Sequence, residues 1–183
     1  MPDRPTPADD PLTDGVVRLR LWRATDAAGA FSACQDPLIA RFVPIPQPYT
    51  MEAATEFVTR SAAETVEGPS AHFAIVDASS DKLLGAISRH GPNGHRAMIG
   101  YWLTPDARGH GYVSRAVRLL ADRTFDTTGT IRLELHTDIA NDASGRVALR
   151  AGFEREGIRR AWDLGRDEIP IDAVFYVRIR PAP

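Results

Sequence analysis

From Val16 onward the chain alternates. Val17, Leu19 and Leu21 take turns with Arg18, Arg20 and Trp22, the period-two pattern of a strand with one buried face. Residues 27–40 and 51–67 read as helices joined by a proline-rich stretch, 42–49, which is not helical throughout because each proline removes a donor and restricts its predecessor. Segments 72–77 and 83–89 read as strands around the polar turn 78–82, and a turn at 91–94 leads to a third strand at 97–104. Such short spacings predict an antiparallel meander. The second half changes period. Val113, Ala116, Val117, Leu120 and Ala121 recur at helical spacing and predict an amphipathic helix ending before Gly129. Ile131, Leu133 and Leu135 then alternate with Arg132, Glu134 and His136, so strand, helix and strand follow one another over 98–137 and favour a parallel pair. A short helix at 143–150, with Gly152 placed as its left-handed stop, precedes two closing strands at 153–162 and 171–179. The class predicted is α+β, a mixed, mostly antiparallel sheet with flanking helices. Residues 1–14, rich in proline and acid and without periodicity, read as a flexible leader to a single domain at 15–183.

The composition narrows the function classes. A chain of 183 residues fits one domain. A net charge of −2 offers no overall attraction to nucleic acid or to an anionic membrane, and neither is an expected partner. Lys82 is the sole lysine among 22 basic residues, so an anion site would rest on arginine or on backbone amides. The single cysteine, Cys34, rules out an internal disulfide framework and a multi-cysteine metal cluster; no metal is expected. No apolar run reaches the roughly 20 residues of a membrane span, and the N-terminal stretch lacks the pattern of a secretory signal. A cytoplasmic location is the expectation.

Residues 101–114 carry the most chemistry. A strand ends at Pro105, a loop with Gly109 and Gly111 follows, and a helix begins near Val113. Glycines let backbone approach a ligand, and the first helical turn offers unpaired N–H groups at the positive end of its dipole, an arrangement suited to a phosphate. Arg108 stands beside it. The loop is neither a P-loop, since Tyr112 and Val113 stand where Lys and Ser/Thr would follow the last glycine, nor a dinucleotide fingerprint, which needs a third glycine. The plain alternative is that the two glycines only make a tight turn.

Taken with its surroundings, this stretch resembles the GNAT family of acetyl-CoA-dependent N-acetyltransferases, most closely the branch that acetylates N-terminal amines of ribosomal proteins (RimJ/RimL-like) and related small-amine enzymes. The family loop Arg/Gln-x-x-Gly-x-Gly/Ala is matched by Arg108-x-x-Gly111-x-Val113. Ile99-Gly100-Tyr101-Trp102-Leu103 resembles the strand entering it, Asn141-x-x-Ser144 with Arg150-Ala151-Gly152-Phe153 the second signature, and Phe73–Val76 with Leu84-Gly85 the early strands. The likeness spans roughly residues 16–177.

The resemblance implies a GNAT fold with a splayed central pair of parallel strands ending near Leu103 and Thr137, and acetyl-CoA in the gap as co-substrate. It implies that the amides of His110, Gly111, Val113 and Ser114, with Arg108 and Gly109, hold the diphosphate, and that Leu103 main-chain groups bond the pantetheine and donate to the developing oxyanion. Asn141 would bond the pantetheine, cap the following helix, or both; Ser144 would lie near the sulfur as a general acid, or else be a solvent-facing hydroxyl. Two departures stand out. Val113 replaces a small residue, which is compatible with binding if its side chain points into the core. Ala148 occupies the place where many members carry the tyrosine that protonates the departing thiolate, which leaves Ser144 as the candidate acid.

The implied reaction is direct attack of a primary amine on the thioester. An α-amine with a pKa of about 7.7–8.0 is about a tenth neutral at pH 7, whereas a lysine amine near 10.4 is neutral only to about 0.04%, so a protein or peptide N-terminus or a small amine is the easier acceptor. The sequence shows no evident base: His136, Glu134 and Asp138 are the candidates, with Asp172, Cys34 and His72 read as structural or packed, and His90 and His95 as turn-flanking residues without metal-ligand spacing. Phe42, Tyr49 and Trp162 are candidates for the acceptor rim, and Asp163, Asp167 and Glu168 belong either to that rim, where they would favour a cationic amine, or to an exposed loop. The competing reading is an acyl-CoA-binding module of the same fold that has lost catalysis. The chain is expected to act as a monomer or homodimer.

Overall fold

The computed structural model describes residues 12–67 and 69–182. Its eight strands are β1 (Leu12–Thr13), β2 (Val17–Arg20), β3 (Ala71–Asp77), β4 (Leu83–Asn93), β5 (Arg96–Leu103), β6 (Arg132–Asp138), β7 (Glu154–Leu164) and β8 (Pro170–Ile179). They form one sheet in the order β1-β2-β3-β4-β5-β6-β8-β7. All neighbours are antiparallel except β5 and β6, which the crossover helix α4 (Tyr112–Thr127) makes parallel. The remaining helices are α1 (Ala27–Ala33), α2 (Pro37–Phe42), α3 (Met51–Glu67) and α5 (Asp142–Arg150).

Side-chain alternation splits the core into two layers. Val17, Leu19, Ile75, Ile87, Ile99, Leu133 and Leu135 pack under the apolar stripe of α4, where Val113, Ala116, Val117, Leu120 and Ala121 are buried. The opposite face, with Ala74, Val76, Ala86 and Trp102, is covered by α1, α2 and α3 through Ala30, Ile39, Ala54 and Val58. Each strand thus sends successive residues to a different layer. The same rule assigns the sides of the functional cleft.

The helix expected over 27–40 is two helices. Asp36 accepts bonds from Leu38 N and Ile39 N, both 3.0 Å, and Pro37 takes the first helical position, so a new helix starts there in place of a continuing one. The turn expected at 91–94 is shorter, because β4 stays paired as far as Asn93 opposite Arg96. The leader expectation also needs correcting at its end. Residues 1–11 lie outside the described residues, but Leu12 pairs with Leu19, Thr13 pairs with Arg18, and Asp14 accepts the amides of Val16 and Val17. Those bonds make Leu12–Asp14 part of the domain.

One charged cluster holds the start of the fold. Arg20, 11% exposed, reaches Asp26 at 2.7 Å and Asp81 at 2.9 Å, and Asp81 also takes Arg18 and Arg23. Burial raises the Asp26 carboxyl pKa, but the bonds from Arg20 and the Arg23 amide outweigh it and keep it ionised. Among the described residues no helix is long and apolar enough to cross a membrane.

Candidate functional site

The site begins with an unfinished strand pair. β5 and β6 are in register only at Arg96–Arg132, Ala97–Leu133 and Met98–Glu134, although β5 continues to Leu103 and β6 to Asp138. Beyond Met98 they separate. The opposite edge of β5 stays paired with β4 through to Gly85–Leu103. Thr104 N donates to Leu84 O across that pair. Because successive N–H groups of a strand point to opposite sides, the Leu103 N–H points into the fork. A cleft of about 1600 Å³ passes through the sheet here, lined on one face by Val113, Ser114 and Ser144 and on the other by Phe57, His72 and His90.

Past the fork a single 3-10 turn, Pro105–Ala107, leads into the glycine loop. Gly109 and Gly111 have φ of +81° and +78°, left-handed values that a Cβ disfavours, and a Cβ at either would meet nothing within 4 Å. The loop is open space lined by backbone. Gly111 is the N-cap of α4 and supplies no side-chain cap, so the first-turn N–H groups of Tyr112, Val113 and Ser114 face outward along the helix dipole. Ser114 adds a buried hydroxyl with no partner. Val113 turns its side chain into the core, 6% exposed, so the extra bulk at this position does not fill the loop. His110 is exposed, with its ring stacked on Tyr112, and stands outside the cleft lining.

Arg108, expected beside the diphosphate, has another partner. Its guanidinium binds Asp36 at 2.6 and 3.3 Å and touches Leu103 O at 3.4 Å. The pair ties the N-cap of α2 to the end of β5, and Arg108 holds the Asp36 carboxyl below its ordinary pKa. The guanidinium therefore stands in the cleft wall at the end of β5, held there by Asp36.

On the far bank, Asn141 caps α5 by accepting from Ser144 N at 3.1 Å, which leaves its amide NH2 free of that task. Ser144 Oγ lies 2.7 Å from the hydroxyl of Tyr101, a residue absent from the candidates raised by the sequence. Burial pushes the Tyr101 phenol up to about 12, with the Ser144 bond pulling the other way, so the phenol is a proton donor at neutral pH. Ala148 is fully buried in the core under α4 and α5. A phenol near Ser144 thus comes from β5 instead of from α5.

His136 stacks on Phe175 with ring centroids 5.1 Å apart and sits 3.6 Å from Asp163. The other candidate acids have structural partners: Glu134 binds Arg132 at 2.6 Å, Asp138 accepts Ala140 N, and Asp172 accepts the amide of Ala161, whose φ is +49°. The β7–β8 hairpin leans over α2, where Arg166 donates to Ala40 O at 2.6 Å and Ile45 O at 3.0 Å. Of the expected rim, Phe42, Tyr49 and Asp163 line the cleft; Trp162 packs behind His136, and Asp167 and Glu168 stay outside on the hairpin tip. Burial pushes the Cys34 thiol up to about 11, and it takes no part in the cleft. Among the described residues no cluster of side chains is arranged to hold a metal ion.

Comparison with known proteins agrees with this geometry. The model of the acetyltransferase (GNAT) domain matches residues 17–154. An uncharacterised N-acetyltransferase of Bacillus subtilis (strain 168) is 25% identical over 171 residues, 92% of this chain and 96% of its own. The ribosomal-protein-serine acetyltransferase of Escherichia coli (strain K12) is 34% identical over 101 residues, covering 54% of this chain and 56% of its own. Among solved structures, RimL, a ribosomal L7/L12 α-N-protein acetyltransferase in complex with coenzyme A, superposes with a TM-score of 0.81 at 21% identity, over 92% of this chain and 96% of that one.

Proposed function

The chain belongs to the GNAT acetyltransferase family, and from that premise we propose that it moves the acetyl group of acetyl-CoA to a primary amine, the α-amine of a peptide or protein N-terminus or a small amine. The observation that carries the reading is the fork: a strand edge left open beside an uncapped helix start, with room for an extended arm between them. The diphosphate would rest on the amides of His110, Gly111, Val113 and Ser114, with Gly109 giving clearance and the lone Ser114 hydroxyl a further donor. Arg108 acts by holding the loop against Asp36. The pantetheine would lie along β5 as an added strand, met by Leu103 and by the Asn141 amide. The Leu103 N–H, fixed by the β4–β5 ladder, would face the thioester oxygen as negative charge gathers there.

The leaving thiolate needs a proton. With the two hydroxyls 2.7 Å apart, Tyr101 would donate to Ser144 Oγ and Ser144 would turn its own proton toward the sulfur, so that the pair acts in series. On this account Ser144→Ala lowers kcat about tenfold to a hundredfold while CoA affinity stays within about twofold, and Tyr101→Phe lowers the same step by a smaller factor. Unchanged turnover in Ser144→Ala would remove the pair from the reaction.

An N-terminal acceptor suits this cleft for two reasons. Its pKa of about 7.7–8.0 leaves a usable neutral fraction, and Asp163 at the cleft edge favours a cation. A ribosomal protein is the acceptor class suggested by the relatives. The test is release of free thiol from acetyl-CoA across peptides, polyamines and aminoglycosides. Amine-dependent release is expected, strongest with peptide N-termini. Tight CoA binding with no release for any amine would leave the non-catalytic acyl-CoA-binding reading in its place.

A further inference from the structure

Three polar side chains on the face of the sheet opposite α4, His72, Ser88 and His90, form a chain with a fourth, Glu64 of α3. His72 of β3 pairs in register with Ser88 of β4, and Ser88 pairs with Gly100 of β5. By alternation all three point toward the α1–α3 layer, as does His90, two residues beyond Ser88. Ser88 Oγ and His90 Nε2 are 2.9 Å apart. The rings of His90 and His72 meet edge to face at 5.4 Å, and His72 Nε2 lies 3.0 Å from Glu64 of α3.

The chain ends at the fork. The last β5–β6 pair is Met98–Glu134, so Gly100 is the first residue past the separation to face this layer. It has no side chain, and a Cβ built on it would lie 3.7 Å from both Ser88 Oγ and His90 Nε2. Gly100 is therefore a window in the strand edge, with the serine–histidine pair on one bank and His136 on the other. A group entering from this face to reach the fork passes between them.

We propose that Ser88 and His90 take the proton that the acceptor amine must lose, with His72 and Glu64 positioning His90 and balancing the charge it gains. This rests on the amine-acetylating reading above. An ammonium N–H bond breaks as its proton passes to Ser88 Oγ, and the Ser88 hydroxyl proton passes to His90 Nε2. The nitrogen keeps the electron pair that attacks the thioester carbon, and the imidazolium later yields its proton to water in the open cleft. This direction requires His90 to carry its resting proton on Nδ1. Both imidazoles are held below the ordinary histidine pKa, mainly by partial burial, so they are unprotonated at neutral pH and ready to accept. The charged groups that bear on the pair are Glu64 and Arg60 of α3 and Arg89 of β4. Of these, Glu64 raises the His90 pKa.

The test measures pH profiles of kcat/KM with an N-terminal peptide acceptor, acetyl-CoA affinity by calorimetry, and histidine ring titration by NMR in the free protein. His90→Gln should lower kcat about a hundredfold, keep acetyl-CoA affinity within about twofold, and erase the acidic limb of the profile. Glu64→Gln should keep that limb but move it to lower pH, together with the NMR titration of His90, because the negative charge that favours imidazolium is gone. A structural role for His90 would let Glu64→Gln move the NMR titration but leave the acidic limb of kcat/KM where it was. His90→Gln with near-normal kcat and an unchanged limb overturns the proposal and leaves acetyl transfer intact; absence of amine-dependent turnover in the parent protein overturns both.

Discussion

Replacing Gly111 by aspartate is expected to weaken coenzyme A binding about a hundredfold to a thousandfold while the fold survives. Aspartate is chosen because it tolerates left-handed backbone better than most residues, and a Cβ here touches nothing within 4 Å. The structural cost is thus confined to about 1–2 kcal/mol of backbone strain. The binding cost is larger. A carboxylate about 5 Å from a phosphate oxygen repels it by roughly 3 kcal/mol at an effective dielectric near 20, about two powers of ten in affinity. Gly111→Ala separates the two effects: it carries the strain without the charge, and its affinity should fall by less than about tenfold. Calorimetric titration with coenzyme A, alongside thermal melts of both variants, checks this. Equal affinity in all three proteins would place the phosphates somewhere other than the start of α4.

The second large effect is expected at Gly85, whose partner across the sheet is Leu103. A Cβ on Gly85 would overlap the Trp102 carbonyl oxygen, and it would also press on Leu103 Cδ2 and Cα, at 2.9 and 3.0 Å. The first and last of these are backbone, so no rotamer change relieves them. Either β4 or β5 must move. Gly85→Ala should therefore cost about 3 kcal/mol, a fall in Tm of roughly 6–12 °C for a chain of this size. It should also disturb the fork, since Leu103 is held in place by that pairing. Loss of CoA affinity beyond what the unfolded fraction explains is the expected signature. A variant as stable as the parent would mean that this edge of the fork yields more readily than its packing indicates.

The parts of this molecule legible in the sequence are those written in local periodicity. The alternation at Leu133 and Leu135 and the spacing of Val113, Ala116, Val117 and Leu120 located strand, helix and buried face together, and the pointing of Val113 into the core followed from the same stripe. The break at Asp36-Pro37 is also local: a capping residue before a proline signals a helix start, though the apolar residues around it continue a helical pattern across the break. β1 had no periodicity to find, being two residues held by pairing with Leu19 and Arg18.

Contacts between distant segments were not legible. Arg108 and Asp36 lie 72 positions apart, and Tyr101 and Ser144 lie 43 apart. Each reads separately as a loop charge, a cap, a strand aromatic and a helix hydroxyl. The His72–Ser88–Gly100 row is an intermediate case. Alternation puts each on one face of its strand, but only the register of β3, β4 and β5 brings them side by side.

The central claim is that an acetyl-CoA diphosphate sits on the first turn of α4 with its arm in the gap between β5 and β6. A crystal structure of the protein grown with acetyl-CoA tests it most directly. Density for the arm should run past Met98 and Glu134 along the open edge of β5, with the phosphates against Gly109–Ser114 and the acetyl oxygen toward the Leu103 amide. Density for the nucleotide elsewhere, or β5 and β6 zipped together through Leu103, would contradict it.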